Sequence, residues 1–327
     1  MYVARRGLVI ATGTVPSVPP IAGLADTPCW TNREAVSAAE LPASLIVLGG
    51  GAIGLEIAQT YRRFGVEVTV LEAADRLLPP EEPESSTLIT EVLTGEGVTV
   101  HAGTTVTEVR HDGMFHLTAD GVGGDISAER LLVATGRRSG LDRGTLERLG
   151  VDGEPGLQVD DRLRVTDGVW AVGDVTGKGA FTRIATYQAD LVVADILGRD
   201  HPRADYRAVP RVTFTDPEVG AVGLTEAQAV DRGIRVITGT AQVPSSARGW
   251  IHKAGNHGVI KLVADADSYL LVGATSAGPT GGEVLSALAV AVHARVPVSV
   301  LEQMIYAYPT FHRGIQDALR DLRESHP

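Results

Sequence analysis

The stretch "LIVLGGGAIGLEIAQTYRRFGVEVTVLE", Leu45 to Glu72, decides the fold. A short apolar run, a cluster of glycines, a helical period and a second apolar run predict strand, tight turn, helix, strand. Ile53, Ile57, Ala58 and Tyr61 fall at helical spacing, and Gly65 stands where such a helix stops. Gly49, Gly51 and Gly54 form G-x-G-x-x-G at the strand-to-helix turn, and Glu72 ends the next strand. Glycines there let the backbone turn sharply and approach a pyrophosphate, whose charge the helix N-terminus meets; an acid ending the second strand accepts from ribose hydroxyls. Gly49, Gly50, Gly51, Ala52, Ile53, Gly54 and Glu72 are therefore the candidate nucleotide-binding residues. A carboxylate at Glu72 repels a 2'-phosphate, so NAD is expected over NADP. Arg76, four residues on, weakens that preference if its side chain reaches the phosphate.

Beyond it, "EEPESSTLITEVLTGEGVTVHAG" predicts a second helix and strand, and "TTVTEVRHDGMFHLTAD" a hairpin turning at Asp112 and Gly113. The segment Leu78 to Glu84 reads as a surface loop. "VIATG" at Val9 to Gly13 is echoed by "LVATG" at Leu132 to Gly136, which predicts two related nucleotide-binding domains with one inserted in the other. "VWAVGDVTG" and a helix in "TRIATYQADLVVADILG" complete the outer domain. Beyond it, antiparallel strands, the helix "GGEVLSALAVAVHARV" and a final helix from about Thr310 predict an α+β domain. The expected boundaries are 1–32 with 141–204, then 33–140, then 205–327, in an α/β chain.

Of 327 residues, 44% are apolar and 21% charged, and 29 basic residues against 40 acidic give a formal charge of -11. No apolar run reaches the roughly 20 residues needed to span a bilayer. The composition suits a soluble globular protein and argues against a nucleic-acid or anionic-membrane surface. Cys29, the only cysteine, excludes an internal disulfide, a redox pair or a multi-cysteine metal site built from this sequence alone. "WIHKAGNHG" gathers His252, Lys253 and His257 without a carboxylate or cysteine, and reads as a solvated loop; no metal is expected. "MYVARRGLVIATGT" lacks the apolar core and cleavage site of a secretory signal, so a cytoplasmic location is expected. A strand within the first few residues reads as the middle of a domain.

"VIATG", "GGGAIGLEIA", "VEVTVLEAADRLLP", "LLVATGRR", "VWAVGDVTG", "FTDPEVGAVGLTEAQA" and "YAYPTFHRG", in that order, resemble the class I pyridine nucleotide-disulfide oxidoreductases over essentially the whole chain. The resemblance implies FAD beside NAD(P), with a Rossmann-like NAD(P) domain inserted in the remainder of an FAD domain. An α+β dimerisation domain would follow, making a homodimer. Asp174 matches the aspartate that binds the ribityl chain of FAD, and Gly13 and Gly173 join it as cofactor-binding candidates. Thr182 stands near the start of the helix that faces the flavin pyrimidine edge, where the dipole favours negative charge. Glu56 matches an acid near nicotinamide and flavin; read by itself, it is equally an acid favoured by the first turn of a helix. Gly136 and Val106 match minor contacts to the nicotinamide nucleotide.

The sequence departs from the family in two places. The N-terminal βαβ for the adenosine half of FAD and the redox cysteine pair are missing, so the chain reads as the C-terminal portion of a longer protein. The family's His-Pro-Thr-x-x-Glu string, whose histidine acts as acid and base toward a thiol, is here Tyr308-Pro309-Thr310 with Arg313 at the glutamate. A tyrosine of ordinary pKa near 10 is a poor base at neutral pH. Tyr308 is thus a candidate wall of the acceptor site or a packing residue at a subunit interface, and Pro309 suits the first turn of a helix. The implied activity is hydride transfer from NAD(P)H to flavin and on to an unidentified small-molecule or small-protein acceptor. The alternatives are a non-catalytic, NAD-binding, dimerising fragment and a lipoamide-type disulfide reductase whose cysteines lie outside this chain.

Overall fold

The structure, a computed structural model, describes residues 4–150 and 156–325. The chain divides into two compact units, 1–17 with 136–206 and 18–135 with 207–327. The stretch 18–32, which the sequence assigns with residues 1–17, packs in the second unit. There Ala22 bridges to Glu108, Trp30 bridges to Leu132, and Leu24 is fully buried.

In the first unit Leu8–Ile10 lies parallel to Val169–Ala171, and Arg164–Thr166 flanks the latter antiparallel. Thr14–Pro16 pairs with Arg137–Ser139. The helix Thr182–Ile196 buries Ile184, Gln188, Leu191, Val192 and Asp195, spacings that make one face of a helix. Leu191 and Val192 join Trp170, Val172 and Leu163 in an apolar cluster. Asp195 anchors the end of that helix. Its side chain is 1% exposed and accepts from Arg162 at 2.6 Å, Arg164 at 2.8 Å and Trp170 Nε1 at 2.9 Å, with His201 Nε2 at 3.2 Å. Burial alone would raise its carboxyl pKa, but the hydrogen bonds from Arg164, Arg162, Trp170 and His201 outweigh burial and hold it far below the carboxylate range. A folded pKa below the unfolded one stabilises above the unfolded value, and the gain is lost as pH falls toward the folded one. Denaturant unfolding followed by tryptophan fluorescence is therefore expected to show stability falling below about pH 4. An Asp195→Asn variant should show a shallower acid limb.

In the second unit a parallel sheet has the order Thr99–His101, Glu67–Leu71, Ser44–Leu48, Arg130–Val133. The predicted βαβ is present, with Ala52–Arg63 as its helix and Gly65 ending it at φ 91°. The hairpin Val106–His111 with Phe115–Ala119 turns where expected, Gly113 taking φ 110°. "VIATG" and "LVATG" place strands in different sheets, Leu8–Ile10 in the first unit and Arg130–Val133 in the second. Glycines of positive φ follow both, at Gly13 and Gly136. C-terminal to these elements, five antiparallel strands run in the order Arg211–Thr213, Glu218–Gly223, Leu270–Gly278, Val259–Asp265, Val236–Gln242. Helices Gly281–His293 and Gly314–Ser325 pack on that sheet through one core that includes Val284, Leu285, Leu288, Val292, Ile315 and Leu319.

The structure differs from the sequence expectation at two places. The last helix begins at Gly314, not near Thr310: Tyr308–Pro309 is a cis peptide in a turn, and Thr310 Oγ1 donates back to the Ala307 carbonyl. The segment Leu78 to Glu84 is not a plain surface loop, since Leu78 and Glu82 are each 2% exposed and the helix Pro83–Gly95 starts within it. Among the described residues no helix is long and apolar enough to cross a membrane.

Candidate functional site

The turn after Ser44–Leu48 gives its three motif glycines three different tasks. Gly49 takes φ 113°, and a Cβ there would sit 2.5 Å from the Ala134 carbonyl oxygen. A Cβ on Gly54 would lie 2.1 Å from the Gly49 carbonyl oxygen, so this glycine lets the helix press onto the turn. Gly51 is different. It caps the helix in an extended conformation open to any residue, φ -84° and ψ -179°, and a Cβ added to it meets nothing within 4 Å. Space stands open before the helix N-terminus, with Ala52 half-buried and Ile53 36% exposed in the first turn. A dinucleotide pyrophosphate requires that combination: a sharp turn, a close helix and an uncovered amide at its start.

Glu72 is tied to the same turn. Its Oε2 accepts from Gly50 N at 2.6 Å and its Oε1 from Ala74 N at 2.7 Å, fixing the carboxylate at the strand end. Gly50 has no room for a side chain, a Cβ falling 2.6 Å from Leu77 Cδ2. Arg76 is half-buried and its guanidinium is bonded back onto its own loop: Nη2 donates to the carbonyls of Pro79 at 2.7 Å and Glu81 at 2.8 Å, and Nη1 to that of Leu78 at 3.2 Å. Glu56, one turn into the helix, accepts from Phe214 N at 2.7 Å. Val106 is 5% exposed in the core cluster that holds Leu24, Phe115 and Leu117, so its side chain is packing, whatever its backbone contacts.

The first unit carries a second polar cradle. Thr14 Oγ1 donates to Asp174 Oδ2 at 2.9 Å, and Arg137 Nε donates to Thr14 Oγ1 at 2.7 Å and stands 3.9 Å from Asp174 Oδ2. Gly13 and Gly173 take φ 64° and 80° on either side of it, and Gly136 takes φ 116° while its carbonyl accepts from Ser17 N. Gln188, fully buried, accepts from Gly173 N at 2.6 Å and donates to Thr176 Oγ1 and the Tyr206 hydroxyl. Thr182 is exposed at the start of a helix whose first turn has no side-chain cap. Thr14, Arg137 and Gln188 were not singled out in the sequence. Gln188 left a trace there, a polar residue on the face shared with Ile184, Leu191 and Val192.

Tyr308 is 69% exposed, with the Arg313 guanidinium 5.6 Å from its ring centre and Arg313 paired to Asp317. Ile305, 99% exposed, and Met304, 40% exposed, precede it. Cys29 is half-buried and burial pushes its thiol pKa up, away from the thiolate needed for redox chemistry. No metal-binding group of histidine, cysteine or carboxylate is present among the described residues.

The family profile described as pyridine nucleotide-disulphide oxidoreductase matches residues 3–189, and that of the corresponding dimerisation domain matches 209–319. A mercuric reductase of Streptomyces lividans is 38% identical over 314 residues, 94% of this chain and 66% of its own length. A dihydrolipoyl dehydrogenase of Haloferax volcanii is 32% identical over 319 residues, 95% of this chain and 66% of its own length. Among solved structures, the HOCl-induced flavoprotein disulfide reductase RclA from Escherichia coli superposes with a TM-score of 0.84 at 30% identity, covering 98% of this chain and 74% of that one. The chain spans between about half and two thirds of the length of the curated relatives it matches, from 51% for a Bacillus cereus mercuric reductase to 66%.

Proposed function

Since this chain belongs to the pyridine nucleotide-disulphide oxidoreductase family, we propose that it binds NADH and FAD and serves hydride transfer from the one to the other, with the electrons passing on to a small acceptor. The observation that carries this is Gly51, open in front of a helix start while its neighbours Gly49 and Gly54 are walled in. When bound, NADH supplies the hydride and FAD accepts it. The chain's part is orientation and electrostatics. The amides at Gly51 and Ala52 meet the pyrophosphate charge, and Glu72 accepts from the adenosine ribose hydroxyls. With three of the five Arg76 N–H donors committed to carbonyls of its own loop, a 2'-phosphate would have to compete for that guanidinium, which supports NAD over NADP.

On the flavin side, Asp174, set by Thr14 and Arg137, accepts from a ribityl hydroxyl, and the start of the helix Thr182–Ile196 favours negative charge on the pyrimidine edge. Glu56 acts as a positioning group through Phe214, and Tyr308 lines the acceptor side or a subunit contact. The exposed apolar residues Met304, Ile305 and Tyr308 support a homodimer through the C-terminal face. A disulfide step draws on no cysteine of this chain, given the half-buried Cys29. A nucleotide-binding domain within 18–135 and a dimerisation domain from 207 belong to the same proposal, in place of the expected boundaries 33–140 and 205–327.

Purified chain tests the reading. Yellow protein whose flavin absorbance bleaches on adding NADH is the expected result. Gln188→Leu is expected to lose flavin and retain NADH binding, because it withdraws the acceptor that holds Gly173 N. Colourless protein that binds NADH would replace the oxidoreductase with a non-catalytic nucleotide-binding subunit.

A further inference from the structure

Arg76 is kept from a 2'-phosphate by residues far away in the sequence. The three carbonyls that hold its guanidinium belong to Leu78, Pro79 and Glu81. Those residues are themselves fastened from the C-terminal sheet of the same compact unit. Arg211, on the strand Arg211–Thr213, donates Nε at 2.9 Å and Nη2 at 2.8 Å to the two oxygens of Glu81, a bidentate pair whose side chains are 28% and 11% exposed. Lys261, on the strand Val259–Asp265, reaches Glu82 at 3.1 Å, Glu84 at 2.8 Å and Glu226 at 2.8 Å, with Lys261 5% and Glu82 3% exposed. Glu82 also accepts from Glu226 N at 2.7 Å. Glu81 thus does two things: its carbonyl takes Arg76 and its carboxylate takes Arg211.

The position of Arg76 gives this clamp a consequence. The chain leaves Glu72 through Ala74, whose N–H is bonded to the Glu72 carboxylate, and arrives at Arg76 two residues later. Arg76 lines an open groove with Asp75, Thr90 and Ala102, and Ala102 follows the strand paired with the one that ends at Leu71. A guanidinium there, once released, has the fork geometry that binds phosphate oxygens two at a time.

We propose that Arg211 and Lys261 are specificity determinants for the dinucleotide: by fastening Glu81 and Glu82 they lock the Leu78–Glu81 carbonyls around Arg76 and so deny NADP a phosphate partner. This rests on the nucleotide site proposed above. The general feature is discrimination by withholding a cation, added to the repulsion supplied by Glu72.

The test is calorimetric titration of the full chain with NADH and with NADPH, for the native sequence, Arg211→Leu, and Arg211→Leu combined with Arg76→Ala. The native chain should prefer NADH. Arg211→Leu is expected to narrow that preference about tenfold through tighter NADPH binding, the worth of one charge-assisted hydrogen bond, and adding Arg76→Ala should restore it. Glu81→Gln, milder because it keeps the side chain's size, takes the place of Arg211→Leu should the latter not fold. A ratio unmoved by loosening, a parallel loss of both cofactors, or a narrowed ratio that survives Arg76→Ala would each overturn the clamp. A native chain that binds neither cofactor would instead remove the nucleotide site beneath it.

Discussion

Gly51→Ala is expected to weaken NADH binding roughly 30- to 100-fold while changing folding stability by no more than about 1 kcal/mol. The two readouts separate because of where the methyl group goes. At φ -84° and ψ -179° the backbone accepts alanine, and the added carbon touches no protein atom within 4 Å. The only cost to the fold is a slightly poorer helix cap. A pyrophosphate approaching the helix start, by contrast, must come within hydrogen-bonding distance of that same backbone, and the methyl group stands in its way. Gly54→Ala provides the opposite control. Its carbon would lie 2.1 Å from the Gly49 oxygen, so the helix must shift, at about 1–3 kcal/mol. Calorimetric titration with NADH and denaturant unfolding on both variants make the measurement. Native-like NADH affinity in Gly51→Ala would reduce the motif to a tight connection between strand and helix.

Lys261→Met should cost about 3–5 kcal/mol of stability, read by denaturant unfolding at pH 7. The ammonium holds Glu82, whose side chain is 3% exposed, and removing it leaves that carboxylate buried with the Glu226 amide but no countercharge. Burial by itself would lower the Lys261 pKa; hydrogen bonds to Glu226, Glu84 and Glu82 outweigh it and raise it above the ordinary lysine value. A raised folded pKa stabilises fully below the unfolded value near 10.4 and is lost only as pH climbs through the higher folded one. Neutral and mildly acidic solutions therefore leave the contribution of the lysine itself intact. The pair Lys261→Met with Glu82→Met should recover most of the loss, since two matched apolar side chains need no countercharge. A single-variant cost below about 1 kcal/mol would mean that Glu82 finds water in place of the lysine.

The elements that were legible in the sequence are those set by local geometry. The strand, turn and helix from Leu45 to Glu72 follow from periodicity, and Gly49, Gly65 and Gly113 take the positive φ their turns require because glycine has no Cβ to clash with its own backbone. The apolar face Val284, Leu285, Leu288 and Val292 was readable for the same reason, and all four are buried.

Other features depend on segments remote in sequence. Lys261 and Glu82 are 179 residues apart, and Arg211 and Glu81 130 apart, so a charged loop at Leu78 to Glu84 read as surface until the C-terminal sheet was laid over it. The helix that carries Gln188 and Asp195 was legible, but only the turn at Gly173 and the arginines at 162 and 164 make buried acceptors of these two side chains. Arg76 is bonded to three carbonyls of the loop that follows it, a partnership that periodicity and spacing do not reveal. Local conformation was readable from the residues alone, because backbone sterics and hydrophobic period act over a few residues. Which charges are buried and which stay accessible is set by packing between distant segments, because desolvation depends on what another part of the chain brings to cover them.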